Sequence, residues 1–555
     1  MSEKKQGFVS GALILMLSNI IVKVVGAIFK IPLSNVIGDH AMGYFSSAYA
    51  IYSMCFLIST AGLPVAISRM IASARAKNNE KEADRIYRVS LSIFVIIGLI
   101  GTAVLFFGAG RFADLSNTPK LQICIQTISP IMFFVCLVSC FRGYFQGHQN
   151  MIPTAVSQVI EVMSKLLLGL SAGIFAKTSG YSAPVVASFA LGGIAIGVAL
   201  SALYMAFAKA VAKKDLEVGL HTTVRSKKEL AGELLAIAIP ITISSSFMSL
   251  TSVIDSIMAV GRLTSTGVGV NYFAMKKDAE VAISLYGAYQ AKAITFFNLP
   301  TTIITPFAIS IIPAISSLKA GKEHGEMKKT IDFTFRIVSV ICLPCAFGLG
   351  VLSKPIISLL FKSEALYKNA AGKIFFSNDV VAPMLSILAP AIVFAGLITV
   401  SAAVLQAMGH ERKSILSTCC GVAAKALAVW TLVGVPAIGH YGIALSTLVC
   451  YLVMFCFNMF FLSRYANYHM SIRKILLRPF LCALACGATA GISYLGLSRI
   501  FSSSSLPTIG AVGLAALCYF ILLFRLKGLN KEDVLMLPKG DKILSILTKV
   551  HLLKA

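Results

Sequence analysis

Fourteen long apolar stretches run through this chain, and they restrict its fold more than any other feature of the sequence. A helix needs about 20 consecutive apolar residues to cross the hydrocarbon core of a bilayer, which is about 30 Å thick. The stretches lie at approximately 8–36, 42–73, 88–109, 120–142, 154–177, 182–208, 234–261, 281–316, 330–352, 382–407, 414–434, 440–463, 474–498 and 506–526. We therefore expect an all-α integral membrane protein with fourteen transmembrane helices.

The composition agrees with this interpretation and excludes other classes of protein. Hydrophobic residues make up 57% of the 555 residues and charged residues 13%, whereas a soluble domain carries about 25% charged residues. A soluble protein this apolar could not cover its surface with polar groups. The composition thus excludes a cytosolic enzyme, a disordered chain and a secreted scaffold held by disulfides.

The distribution of positive charge predicts the orientation in the membrane. Lys and Arg number 49 and Asp and Glu 23, which gives a net charge of +26. If the N-terminus is cytoplasmic, about three cations lie in cytoplasmic loops for each one in the opposite loops, so both termini are predicted to be cytoplasmic. The surplus is a topology signal that attracts anionic lipid heads, and we expect no nucleic-acid partner. The first stretch follows MSEKKQ without a small-residue cleavage site and is interpreted as a retained helix.

Two sequence echoes indicate an internal repeat. The segment PVAIS (64–68) returns as PFAIS (306–310), and FQGHQN (145–150) is echoed by LQAMGHERK (405–413). Both copies have the same predicted membrane orientation, which indicates parallel repeats. The predicted organisation is two six-helix lobes at 1–215 and 216–465, followed at 466–555 by two further helices and a cytoplasmic tail.

No enzyme or metal motif stands out in the sequence. There is no phosphate-binding loop of the ATPase type, and no His has ligand spacing to a Cys. Cys342 and Cys345 copy a redox spacing, but they lie in a long apolar segment and are interpreted as small core residues. We therefore expect no cofactor and no enzyme activity. A two-lobed bundle without an enzyme site typically moves a substrate through the cleft between its lobes.

Ionisable residues inside the spans point to that cleft, because burying them in lipid is costly unless they line a wet cavity. Lys23 and Lys292 lie near mid-membrane in the first and eighth stretches, so we predict that they face the cavity. Lys30 is seven residues from Lys23 and shares its helix face. For Lys30 and for Arg69, near the end of the second stretch, extension of the side chain to an interface is an equal alternative.

Acidic residues are scarcer in the spans. Asp255 is the deep carboxylate in the sequence SLTSVIDSIMAVGRL, where it either pairs with a cavity lysine or binds a coupling proton or Na⁺. Glu161 and Lys165 are predicted to form a local pair four residues apart. A cavity with several cations and few acids fits an anionic cargo such as the diphosphate of a lipid carrier. An inside-negative potential favours outward movement of such an anion by about 2.3 kcal/mol per charge per 100 mV.

Four segments resemble the MOP superfamily, and within it the polysaccharide-biosynthesis branch of MurJ and SpoVB-like flippases. They are VKVVGAIFKIPLSNVIG (22–38), GLPVAISRMIA (62–72), FRGYFQGHQNMIPTAVSQVIE (141–161) and YQAKAITFFNLP (289–300). The resemblance covers the whole length, and the third segment is the most specific. It implies a flippase in the bacterial plasma membrane that carries lipid II, an undecaprenyl-diphosphate-linked oligosaccharide, from the inner to the outer leaflet by alternating access.

The resemblance also implies site residues. Members of the family place cavity cations on the first, second and eighth helices, and these carry over to Lys23 and Lys292. Lys30 is about one position out of step, and Arg69 lies further toward the cytoplasm than the family's second-helix cation. The last two helices, at about 474–526, would form a groove for the polyprenyl tail. The implied partners are the lipid-linked substrate, membrane lipids and the cell-wall synthesis machinery.

Three other functions remain open. A multidrug exporter of the same superfamily, coupled to H⁺ or Na⁺, would need cavity carboxylates for cationic drugs and usually lacks the two extra helices. A flippase for another lipid-linked polysaccharide would share the same cations. A membrane scaffold for division or spore-envelope machinery would leave the buried lysines without a purpose.

Overall fold

The computed structural model describes most of the chain, and these residues are 8–60, 62–212, 225–265, 279–321, 323–368, 374–435, 437–501, 505–526 and 528. They form two compact units, and the division falls between Ala291 and Lys292. No break in the helical backbone separates these two residues, because both belong to the π-helical turn Tyr289–Ala293.

The first unit is built from helices alone, over its described residues. The helices are α1 (Phe8–Thr60), α2 (Leu63–Ala76), α3 (Glu80–Leu115), α4 (Leu121–Ile128), α5 (Ile131–Gly147), α6 (Ile152–Ser164), α7 (Leu170–Thr178), α8 (Ala183–Val211), α9 (Lys227–Val253), α10 (Val260–Ser265) and α11 (Ala279–Ala288). The π-helical turns Lys165–Gly169 and Ile254–Ala259 join α6 to α7 and α9 to α10.

The second unit adds one small sheet to its helices. Its elements are α12 (Ile294–Ala320), α13 (His324–Val351), α14 (Ser353–Leu360), β1 (Ala365–Lys368), β2 (Ile374–Phe376), α15 (Ser377–Ala407), α16 (Glu411–Leu432), α17 (Tyr441–Ala466), α18 (Arg478–Ile500) and α19 (Ser505–Arg525). The π-helical turn Arg473–Leu477 leads into α18. β1 and β2 pair antiparallel, and the rings of Tyr367 and Phe375 stack across them at 4.8 Å.

The predicted helical membrane protein is confirmed, and the sequence prediction missed the hairpin. Each predicted apolar stretch overlaps described helix. Within the described residues, eleven helical segments, some of them made of two consecutive helices, are long and apolar enough to cross a membrane, so the number fourteen stays a prediction. Gly38 has φ 84° and ψ 166°, which breaks the backbone of α1 between the first two predicted stretches. Only glycine adopts this conformation readily.

The two units differ in extent from the predicted lobes. In the structure α9 and α11 belong to the first unit, because both pack against α1. Gly43 of α1 contacts the backbone of Ile283 and of Gly287 so closely that neither glycine has space for a Cβ atom. The residues of α18 and α19 belong to the second unit. The division at 1–215, 216–465 and 466–555 concerns sequence repeats and stays a prediction.

The second pair of similar segments, at 145–150 and 405–413, forms two turns with the same backbone hydrogen bond. After α5, Asn150 N donates to Phe145 O at 3.0 Å; after α15, His410 N donates to Leu405 O at 2.8 Å. Asn150 and His410 are 260 residues apart, as are Phe145 and Leu405, and the two similar segments are separated by the same distance in the sequence. The residue before each donor has a positive φ, 57° at Gln149 and 78° at Gly409. The echo therefore corresponds to a shared helix–turn–helix geometry.

Packing explains the cysteine spacing. Cys342 is fully buried in α13, and its sulfur lies against the position where Gly396 of α15 has no side chain. Cys342 and Cys345 both carry free thiols. The interpretation as a small core side chain is confirmed for Cys342, whereas Cys345 is half-buried.

Candidate functional site

The predicted site residues fall in both units, and each unit is described separately. Lys23 lies in α1, but its side chain lies outside the described residues. Lys30 is half-buried on the same helix, next to Phe29, which is 2% exposed. Arg69 is exposed in the middle of α2. In the described part of the first unit, no hydrogen bond or ion pair joins Lys30 or Arg69 to Asp255.

Asp255 is buried at the second position of the π-helical turn Ile254–Ala259, where 3% of its surface is exposed. It interacts electrostatically with the phenol of Tyr286, which is itself fully buried in α11. The π-helical turns Lys165–Gly169 and Ile254–Ala259 thus each carry an ionisable residue. Such turns are frequent at functional sites.

The other of these turns begins with Lys165, and the prediction for this residue is wrong. Glu161 does not pair with Lys165. Its Oε2 accepts from the Arg142 guanidinium at 3.0 Å, and Arg142 Nε donates to Ser157 Oγ at 3.0 Å. The α-helix ends at Ser164, and a wider π-helical turn begins there. The four-residue spacing therefore no longer aligns the two side chains as it would in an α-helix.

Lys165 packs on aromatic rings instead. Its Nζ lies 4.6 Å from the ring centroid of Tyr49 and 5.6 Å from that of Phe29. It also donates to the hydroxyl of Tyr49 over 3.4 Å. Lys30 lies within range of electrostatic repulsion from Lys165. Two lysines and an aromatic wall therefore lie together inside the first unit.

In the second unit, Lys292 is buried with 1% of its surface exposed. Its ammonium donates to three oxygens at the base of the hairpin: Lys362 O at 3.1 Å, Ser377 Oγ at 2.6 Å and Asn378 Oδ1 at 3.0 Å. Asn378 Nδ2 in turn donates to Phe361 O at 3.0 Å. Lys292 therefore joins the helix that carries it to both ends of the hairpin segment.

The structure also buries ionisable residues that the sequence prediction did not single out. Lys425 in α16 is 2% exposed, and Asp39, directly after the break at Gly38, is also 2% exposed. Lys425 lies eleven residues into its apolar stretch. The distance of a lysine from the ends of its apolar stretch could therefore have identified Lys425, and also Lys165, as residues near mid-membrane.

An apolar groove of about 620 Å³ lies in the second unit. Its walls come from α13, α15, α17 and residues 472–480, with Phe347, Phe394, Phe455 and Phe480 among them. The resemblance places a tail groove at about 474–526; in the structure most of the wall comes from α13 and α15, α18 contributes Phe480, and no described residue of α19 lines the groove. Ser386 lines both this groove and a more polar cavity of about 810 Å³. An ion pair between Lys354 and Asp379 at 2.7 Å lies on the polar cavity.

A charged cluster holds the short segments that join α2, α3, α5 and α9. Arg75 Nε donates to Glu80 at 2.8 Å, and Arg225 Nε donates to Glu82 at 2.6 Å. His148 follows α5, where its Nδ1 lies 2.9 Å from the carbonyl oxygen of Tyr144. Burial lowers the pKa of His148 below its ordinary value, and the nearby Arg75 lowers it further.

Known proteins resemble the chain over most of its length. Residues 8–319 match the family model for polysaccharide biosynthesis proteins. The chain is 24% identical to Stage V sporulation protein B of Bacillus subtilis (strain 168), covering 96% of this chain and 98% of that protein. It is also 24% identical to the lipid II flippase MurJ of the same organism, covering 87% of each.

Solved structures share the fold. A lipid II flippase MurJ in an inward closed conformation matches 93% of this chain and 99% of its own, with a TM-score of 0.67 and 14% identity. An inward-facing multidrug resistance MATE family transporter of the MOP superfamily matches 82% of this chain and 99% of its own, with a TM-score of 0.62 and 16% identity. The chain is therefore a multi-pass membrane protein that shares the fold of these two solved structures and belongs to the family of polysaccharide biosynthesis proteins.

Proposed function

We propose that this protein is a flippase that moves an undecaprenyl-diphosphate-linked oligosaccharide, with lipid II as the favoured substrate, from the inner to the outer leaflet of the bacterial plasma membrane. Alternating access exposes the bound head group first to one side and then to the other. Lys23, Lys30, Arg69 and Lys292 bind the diphosphate during this cycle. No cofactor other than a coupling ion takes part.

The observation that carries the proposal is the burial of lysine side chains inside membrane-spanning units. Lys292 is 1% exposed and Lys30 is half-buried. Positive charge at membrane depth is costly and typically marks a substrate pathway. A diphosphate is an anion that would offset this charge, and lysines bind phosphate as point charges.

The apolar groove supports a lipid-linked cargo. A polyprenyl tail needs an apolar surface while its head group passes through the protein, and four phenylalanines line the groove of the second unit. The polar cavity adjoins the groove at Ser386, which lines both. An apolar path beside a polar one suits an amphipathic substrate.

The relatives favour lipid II as the cargo. A relative from Bacillus subtilis and a solved structure both carry the name lipid II flippase MurJ. A flippase for a different lipid-linked polysaccharide is the nearest alternative, because the diphosphate and tail would be the same. The shared fold with a MATE transporter keeps an H⁺- or Na⁺-coupled multidrug exporter as a second alternative.

The test is translocation by the purified chain in vesicles. Fluorescent lipid II is supplied in one leaflet, and a membrane-impermeant quencher reports its arrival in the other. Lys23→Ala, Lys30→Ala and Lys292→Ala should each lower the rate by about tenfold or more, which corresponds to about 1.4 kcal/mol of lost substrate interaction. The matched control is Lys177→Ala, which removes an exposed lysine at the end of α7. Equal rates for all four variants would refute the assignment.

The same vesicles separate the alternatives. Unlabelled lipid II should compete with the fluorescent substrate more strongly than other undecaprenyl-diphosphate-linked sugars. A cationic drug that is transported while lipid II is not would establish the exporter instead. We also propose Asp255 as the site of coupling or as the partner of a cavity lysine. Asp255→Asn should abolish any dependence of the rate on a Na⁺ or H⁺ gradient if it couples, and leave that dependence intact if it only pairs.

A further inference from the structure

Lys165 lies at the centre of a membrane-length segment. The segment Ile152–Thr178 has 27 residues, and Lys165 is thirteen residues from either end. At 1.5 Å per residue this places its Cα about 20 Å from both ends of the helix. A lysine side chain is too short to carry its ammonium over that distance to an interface, so the charge has to be accommodated inside the first unit.

The immediate surroundings of Lys165 are aromatic. The rings of Tyr49 and Phe29 lie 4.6 and 5.6 Å from its Nζ, and the hydroxyl of Tyr49 accepts a long hydrogen bond of 3.4 Å. The ring of Tyr52 follows at 5.7 Å from that of Tyr49. Cation–π contacts stabilise an ammonium, but they do not neutralise its charge.

A second positive charge lies within range. Lys30, directly after Phe29 in α1, repels Lys165 electrostatically. The nearest carboxylate along the helix, Glu161, is bound by Arg142 at 3.0 Å. Among the described residues neither Lys30 nor Lys165 forms an ion pair with an acid. Two lysines therefore share one region of the first unit, and no carboxylate of the described residues is bound to either.

We propose that Lys165 and Lys30 together form a binding site for a phosphate or diphosphate oxyanion inside the first unit. A dianion between the two ammonium groups removes their mutual repulsion and offsets both charges. The hydroxyl of Tyr49 supplies a further donor, since its hydrogen is free to turn toward the anion while its oxygen accepts from Lys165. Phosphate oxygens suit this arrangement because lysines hold phosphate as point charges.

Two sources supply such an oxyanion, the diphosphate of a lipid-linked substrate and free phosphate or pyrophosphate. If the oxyanion is the diphosphate of the lipid-linked substrate, the inference rests on the proposed function, and α6–α7 join the helices that bind the head group. If it is free phosphate or pyrophosphate, the site does not depend on the transported substrate. Both share the chemistry of the site, and the experiment separates them.

The experiment measures binding to the full chain in lipid nanodiscs. Pyrophosphate, inorganic phosphate and an undecaprenyl diphosphate lipid are titrated separately, and affinity is read from calorimetry. Lys165→Gln should weaken pyrophosphate binding by about tenfold or more, and Lys165→Arg should restore most of it, since a charge returns to the same position. Tyr49→Phe should have a smaller effect. Lys177→Gln, at an exposed lysine, is the matched control.

The outcomes discriminate clearly. If Lys165→Gln is folded, as judged by its melting temperature, and binds all three ligands as the unchanged protein does, the site is refuted while the flippase function stands. If it loses pyrophosphate and undecaprenyl diphosphate together, and translocation falls with them, the site holds the head group of the substrate. If only the free anions are lost and translocation persists, the site exists but takes a free anion.

Discussion

The Nζ atom of Lys292 lies 3.0 Å from Oδ1 of Asn378, and Nδ2 of the same amide donates to Phe361 O at 3.0 Å. A single amide thus links a buried ammonium to the chain that leads into the hairpin. Ser377 Oγ adds a second acceptor at 2.6 Å and itself accepts from Glu364 N at 3.1 Å. The residue expected to bind substrate is, in this conformation, bonded to oxygens of its own unit.

Asn378→Ala should destabilise the protein. It removes one acceptor from a buried ammonium and one donor from the Phe361 carbonyl group, and a hydrogen bond to a charged group is worth about 1.5–3 kcal/mol. The free energy of unfolding, measured by denaturation in detergent, should fall by about that amount. Asn298→Ala, at an exposed asparagine of α12, is the control and should change little. Equal stabilities for the two variants would show that the bonds to Asn378 contribute nothing.

The same variant separates the two roles of Lys292. If the ammonium leaves the hairpin to bind a diphosphate, Asn378→Ala frees it and the translocation rate per folded molecule should be kept or rise. Lys292→Ala should lower that rate by about tenfold, as expected from loss of a charged contact. A rate that falls equally in both variants would instead assign Lys292 a purely structural role.

The Arg142–Glu161 pair should couple more strongly than an exposed pair. Its side chains are 19% and 36% exposed, so solvent screens it only in part. A double-mutant cycle with Arg142→Met and Glu161→Gln should give a coupling energy of about 1–3 kcal/mol, in the upper part of the range for residues in direct contact. The exposed pair Arg88–Asp84 serves as the comparison and should give about 0.3–0.5 kcal/mol. Similar energies for both pairs would contradict the importance of burial here.

The apolar stretches allowed the membrane helices to be predicted because the requirement for about 20 apolar residues is local. The extent of each unit depends instead on contacts between residues that are far apart in the sequence. For the first unit, the close contact between Gly43 and Gly287 is one of these, and the sequence of neither segment predicts it. The hairpin was also missed, since strands of four and three residues are too short to establish an alternating pattern.

In the candidate site, too, local features could be predicted from the sequence and long-range contacts could not. The depth of Lys292 was readable from its position, and its burial agrees with that depth. Its partners at the hairpin were not readable, because the hairpin lies seventy or more residues further along the chain. For Lys165 the spacing from Glu161 suggested a local pair, and the π-helical turn that separates them has no recognised sequence signal. Arg142, the last residue of the predicted stretch 120–142, is the partner that Glu161 has instead.

His148 should make stability depend on pH. Burial holds its pKa below the ordinary value of about 6.5, so the folded state favours the neutral ring. Between the two pKa values the unfolded chain binds more protons, and stability therefore rises with pH. The contribution of His148 is complete above about pH 6.5 and is lost as the pH falls below it. In His148→Asn, which keeps an amide donor, the melting temperature should fall less between pH 7.5 and 5 than in the unchanged protein. A parallel fall in both would refute the contribution.

Filling the apolar groove should slow the translocation of lipids with a long prenyl tail and leave that of lipids with a short tail unchanged. Ala346 is 7% exposed and lies on the groove wall beside Phe347. In Ala346→Phe the added ring takes up part of the 620 Å³ that a polyprenyl chain would occupy. Translocation of a lipid with the full undecaprenyl tail should fall by about tenfold, equivalent to about 1.4 kcal/mol, while an analogue with a short prenyl tail keeps its rate. Ala488→Phe adds the same ring at an exposed position of α18 and should leave both substrates unaffected. If Ala346→Phe slowed both substrates equally, the groove would serve the structure of the second unit and not the tail.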